Sequence, residues 1–186
     1  MDDVDDMDDV DEVDDVDDVD DTAFPEPGDV ADPATLLLRL LDFYRATALR
    51  KVGALRADQV RRSWVPTAWT PLELLSHLAH MERRWIVWGF LGEEVPDPWG
   101  DETDDRWHVP QDVSVDDVVA LLRATGDRTR QVLADHPLTE TGAVGGRFAA
   151  DPPTLASIGF HVLQEYARHV GHLDIATEIA GGHIGE

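Results

Sequence analysis

Four stretches of the chain carry apolar residues at helical spacing. The first opens at Asp32-Pro33, an N-cap residue followed by proline at the first helical position. It sets Leu36, Leu37, Leu40, Leu41, Tyr44, Ala48 and Leu49 on one broad stripe and should end near Gly53. The second opens with the capping box Thr70-Pro71-Leu72-Glu73. Its apolar face is Leu74, Leu75, Leu78, Met81, Trp85 and Trp88, and it should stop before Gly92. The third opens at Ser114-Val115-Asp116-Asp117, with Asp where a capping box usually has Glu or Gln. Val118, Val119, Leu121, Leu122, Val132 and Leu133 form its apolar set, up to His136-Pro137. The fourth starts at Asp151-Pro152-Pro153-Thr154 and runs to Gly181-Gly182.

The connections carry no comparable signal. Ala57–Val60 reads as one short turn of helix, and Trp64 to Trp69 as aromatic and extended. Residues 93–113 form a long polar loop, of the length that often carries function. Residues 138–150 are glycine-rich, with no obvious element. Four amphipathic helices and no convincing strand predict an all-α protein, a four-helix bundle over residues 29–186. Its seam should include Leu40, Leu74, Leu78, Met81 and Leu163.

Composition divides the chain in two. The formal net charge is −24; residues 1–21 hold thirteen Asp and one Glu and no basic residue, which leaves −10 for the rest. The Val-Asp-Asp repeat there has a period of three, which suits neither helix nor strand, and its carboxylates repel one another. Residues 1–28 are therefore expected to be a disordered acidic tail, a solubilising extension rather than a calcium-binding one. The acidic body argues against nucleic acid and anionic membrane surfaces as partners. No run of eighteen apolar residues suggests a transmembrane helix, and the N-terminus lacks the basic and apolar regions of a secretory leader. A cytoplasmic location is expected. The 186 residues include no cysteine, which excludes disulfides, cysteine metal ligands and a thiol nucleophile from the chain itself.

The chemistry lies on helix four. At about 100° per residue, His161, Glu165, His169 and His172 fall within roughly 80° of one another. Glu165 and His169 are an i,i+4 pair, the spacing at which two side chains can share one metal ion. An inward carboxylate is costly in a bundle core unless it is paired or bound to a cation. The best third ligand is His77 on helix two, set between Leu74, Leu78 and Met81, although taken alone it reads as a hydrogen-bonded core histidine. His80 lies about 60° around that helix from His77, and Glu82 about 140° away, outside the same site. His161 reads as structural, and His172 as either a neighbour of the ligands or ordinary packing. His77, Glu165 and His169 are thus the expected holders of one divalent ion, with the remaining positions open to solvent. The competing arrangement is a closed Glu–His network without an ion.

The segment Thr70-Pro71-Leu72-Glu73-Leu74-Leu75-Ser76-His77-Leu78-Ala79-His80-Met81-Glu82, taken with Glu165-Tyr166-Ala167-Arg168-His169-Val170-Gly171-His172-Leu173-Asp174, resembles the DinB/YfiT-like superfamily. The second motif is similar to the actinobacterial Glu-x-x-x-His-x-Gly-His branch, which includes the N-terminal domain of mycothiol-dependent maleylpyruvate isomerase. The resemblance covers roughly residues 33–183. It implies a four-helix bundle with a long crossover and a metal, zinc first and nickel second, on His77, Glu165 and His169. It further implies a metal-dependent thiol S-transferase or isomerase acting on a small-molecule substrate. A low-molecular-weight thiol of the mycothiol type would be the cosubstrate, attacking an electrophile as thiolate. A homodimer is one arrangement open to such a protein. The other functions weighed are a non-catalytic metal-binding, stress-associated bundle and a metal-assisted hydrolase. Arg84, Arg168, Trp64, Trp69, Trp99 and Trp107 are candidates for the mouth of the site, with no role assigned.

Overall fold

The computed structural model describes Gly28 and residues 30–182. The acidic segment, with the tail expected there, lies outside the described residues, as do Asp29 and residues 183–186.

The caps start the helices where the sequence puts them. Helix α1 spans Pro33–Gly53, and Asp32 accepts a 2.9 Å hydrogen bond from the Thr35 amide. Helix α2 is the short turn Ala57–Val60. Helix α3 spans Pro71–Arg83; the Glu73 amide donates to Thr70 Oγ1 at 3.2 Å, and the Thr70 amide donates back to Glu73 at 2.8 Å. Helix α4, Val115–Asp135, begins with the same reciprocal pair between Ser114 and Asp117, so the shorter carboxylate completes the box as well. Helix α5, Leu155–Ile179, is capped by Thr154.

Among the described residues the structure is mostly helical, the expected all-α class. Helix α1 packs on α5 and α4, and α3 packs on α4 and α5. Leu37, Leu41, Leu74, Leu78, Leu122, Ile158, Val162 and Leu173 fill the space between them. Leu74, Leu78 and Met81 are buried as expected, but Leu40 and Leu163 are only half-buried and line a shallow surface groove. The stripe on α1 is wider than the face it buries; Leu37 and Leu41 take the central positions.

Two features depart from the sequence reading. The long loop holds a small antiparallel hairpin, β1 (Glu102–Thr103) and β2 (Arg106–Trp107). Its turn residues Asp104 and Asp105 have φ of 53° and 58°. Two successive left-handed residues are the mark of a type I′ turn, where Asn-Gly or Asp-Gly is the usual sequence signal. The second departure is that α3 continues as a π-helical segment over Arg84–Phe90, with the Leu91 amide donating to the Ile86 carbonyl five residues back at 3.1 Å. The glycine-rich segment 138–150 straps onto this widened turn. The Arg147 amide donates to Trp88 O at 3.1 Å, and the Ala143 amide to Phe90 O at 2.7 Å. Only glycine fits beside the contact, since a Cβ at Gly146 would lie 2.2 Å from Trp88 O.

One buried polar network crosses the core. Glu82, wholly buried, receives both Nε and Nη2 of Arg45, at 3.0 and 2.6 Å, together with the hydroxyls of Thr129 and Tyr166. The carboxylate is thereby fully engaged, as burial of a charge requires. Gly126 on α4 leaves the room: a Cβ there would meet Arg45 Nε at 3.0 Å.

Candidate metal centre

The inward face of α3 presents His77, and α5 presents Glu165 and His169 one turn apart. One donor atom from each of these three residues lies within 4.8 Å of the others. Glu165 Oε2 is 3.1 Å from His169 Nε2, and the rings of His77 and His169 meet edge to face with centroids 4.9 Å apart. His161 flanks the group, with Nε2 3.6 Å from Glu165 Oε1. The exposed His172 ring lies 5.6 Å from that of His169. His80 turns away: its Nδ1 is 3.0 Å from the Ser76 carbonyl, and burial holds its pKa below the ordinary value. Glu82 is outside the site, as its position around α3 requires, and serves the core network instead.

The long loop supplies two residues that the helical pattern did not mark. Asp101 is wholly buried and accepts the Nδ1 proton of His77 at 3.0 Å while Arg84 grips both carboxylate oxygens. Burial alone would raise the Asp101 pKa, but the hydrogen bonds from His77 and Arg84 outweigh it and hold the carboxyl below its usual range. An ionised Asp101 makes Nδ1 of His77 the protonated nitrogen and leaves the Nε2 lone pair free. Trp107, from β2, stacks on His77 at 4.3 Å and meets His169 edge-on at 5.1 Å. The hairpin thus fixes the far side of His77 and shields it. The signal available in the sequence was weak, because Asp101 is one of eight acidic residues between positions 93 and 113.

His169 is held neutral. Burial and the neighbouring His77 push its pKa down to about 4, against the pull of Glu165. Its Nδ1 is buried with no hydrogen-bond partner. The nitrogen that meets Glu165 is Nε2, and two imidazoles with a carboxylate are a donor set that suits zinc or nickel. A second cluster, His77, Asp101 and Glu102, also falls within 4.8 Å, but Asp101 is already committed to Arg84. Among the described residues, the histidine–glutamate–histidine group is the cluster whose carboxylate has no arginine partner.

An open cleft of about 380 Å³ adjoins His169, lined by Val65, Trp69, Trp107, Arg168 and His172 among others. Of the residues expected at the mouth, Trp69, Trp107 and Arg168 stand there. Arg84 is buried against Asp101, Trp99 stacks over Arg84 at 4.4 Å, and Trp64 is tied to the Gln59 carbonyl.

Long helices packed around one core, with two imidazoles and a carboxylate facing each other across the α3–α5 seam, make this an all-α protein, and the family match places it in the DinB-like superfamily. A family model described as mycothiol-S-transferase matches residues 36–182, and the chain belongs to that family. A search of curated proteins found no match.

Proposed function

We propose that this protein is a divalent-metal-dependent transferase that delivers a low-molecular-weight thiol of the mycothiol type to a small electrophilic substrate. His77, Glu165 and His169 would hold the ion, zinc first and nickel second. The observation that carries the reading is the convergence of their donor atoms within 4.8 Å, inside a chain that matches a mycothiol-S-transferase family model. Bound there, a divalent ion supplies Lewis acidity and favours the deprotonated thiol near neutral pH.

The chain's own residues divide the remaining work. Asp101 holds His77 in one tautomer and one orientation, and Arg84 anchors Asp101. Glu165 brings a negative charge that lowers the net charge of the centre. The depressed pKa of His169 keeps that imidazole available as a neutral donor across the physiological range. Trp107 covers the paired imidazoles and limits water on that side. No cysteine competes with the incoming thiol.

Elemental analysis after incubation with zinc or nickel and desalting tests the centre, and an assay with mycothiol and an electrophilic model substrate tests the reaction. About one ion per chain, lost in His169→Ala, with turnover that needs both thiol and metal, is the expected result. Metal without thiol transfer would indicate a binding protein, and turnover with water alone a hydrolase. Failure to retain stoichiometric metal would overturn the assignment of all three residues.

A further inference from the structure

We propose that the cleft beside His169 seats the electrophile, and that this substrate is a small, flat acid whose anionic group docks on Arg168. The inference deepens the function proposed above by naming the substrate class of the same site.

The walls decide the body of the ligand. Val65 and Ile175 are aliphatic, and the Trp69 and Trp107 rings stand with centroids 6.3 Å apart and planes at 58°. Such a surface takes up a planar apolar skeleton through ring contacts and area burial. It suits a polyhydroxylated thiol poorly, because most of the surface it exposes is apolar, even though Thr67, His169 and His172 also border it. At about 380 Å³ the cleft is at the small end of ligand pockets. Trp107 also packs against both His77 and His169, so a ligand lying on its ring sits beside the candidate centre.

Arg168 decides the charge. The chain has 39 acidic residues against 15 basic ones, so a carboxylate partner is easy to find. Yet no carboxylate among the described residues comes within ion-pair distance of Arg168, whereas Arg45 and Arg84 are each paired with a buried acid. An exposed, unpaired guanidinium on the rim of an apolar cleft offers a fork of donors for an anion. In a body that is otherwise acidic, it also offsets the repulsion an anionic substrate would meet. Because Arg168 and His169 border the same cleft, a molecule anchored on the guanidinium can lay its apolar part against that imidazole.

The test is binding, read without thiol or turnover. Naphthalene-2-carboxylate and the neutral naphthalene-2-carboxamide would be titrated into the full chain, following tryptophan fluorescence. The carboxylate should bind more tightly than the amide. Arg168→Gln should weaken the carboxylate by about tenfold or more, the scale of one lost charge-assisted contact, and leave the amide nearly unchanged. Arg168→Lys should fall between. Circular dichroism checks that each variant folds, which an exposed position should permit. Equal affinity of the two probes for wild type, equal weakening of both by Arg168→Gln, or no binding of either would overturn the proposal. Arginine-dependent binding without thiol transfer would instead overturn the transferase reading alone.

Discussion

Tyr166 locks α5 to α3 through Glu82: its hydroxyl donates a 2.6 Å hydrogen bond to Glu82 Oε2, and both side chains are wholly buried. Burial and the adjacent Glu82 charge push the phenol pKa well above its ordinary value, so Tyr166 remains a donor. Tyr166 follows Glu165 in sequence, and Glu82 follows His77 on α3, about 140° around that helix. The bond that sets the rotation of α5 against α3 therefore also sets which residues face His77.

Tyr166→Phe tests that coupling. It removes one of the hydrogen bonds to a buried carboxylate, at an expected cost of about 1–3 kcal/mol in urea unfolding. Because α5 loses its rotational lock, zinc retention after desalting should drop as well. Unchanged retention in a destabilised variant would show that the bond supports the fold and leaves the centre alone.

Asp101→Asn keeps the shape but surrenders the charge that fixes the His77 tautomer. Metal affinity should fall by about 10–100-fold, the usual effect of removing a partner of a ligating histidine. A competition titration against a chelator measures it. Wild-type affinity in this variant would mean that His77 needs no orienting partner.

The metal-free protein should lose stability in mild acid through His169. Its pKa is about 4 in the fold, against an ordinary value of 6.5. As pH falls through the ordinary value, the unfolded chain takes up a proton that the folded site refuses. The contribution is thus complete above pH 6.5 and drains away on the way down to about 4. Urea unfolding at pH values of about 7.5, 5.5 and 4.5 should show wild type weakening relative to His169→Gln over that window. Parallel pH profiles for the two proteins would contradict it.

Leu78 and Leu40 provide a test of the core. Leu78 is wholly buried, so Leu78→Ala should cost about 2–5 kcal/mol. Leu40 is half-buried beside the surface groove, so Leu40→Ala should cost less than about 1 kcal/mol. Similar losses at both positions would mean that the stripe on α1 is buried across its full width.

Local chemistry explains what could be read from the chain. Asp32, Thr70, Ser114 and Thr154 start helices because their side chains satisfy first-turn amides, a signal contained within a few residues. Helical phase likewise brought His77, Glu165 and His169 to one seam. What escaped depends on distant partners. Asp101 differs from the seven other acids of its loop only by docking under His77 and Arg84. Glu82 lies about 140° around α3 from His77, and its complete burial depends on Arg45, which lies 37 residues away. The hairpin escaped because Asp104-Asp105 supplies the left-handed turn without a glycine.

The His77–Asp101 bond has a consequence for the order in which the site comes together. It closes a loop of 24 residues, whereas the Glu82–Tyr166 bond that joins α3 to α5 spans 84. By loop-closure entropy alone, the shorter link costs about 1 kcal/mol less. The bond that aims His77 is thus internal to α3 and the loop that follows it, and takes no contribution from α5.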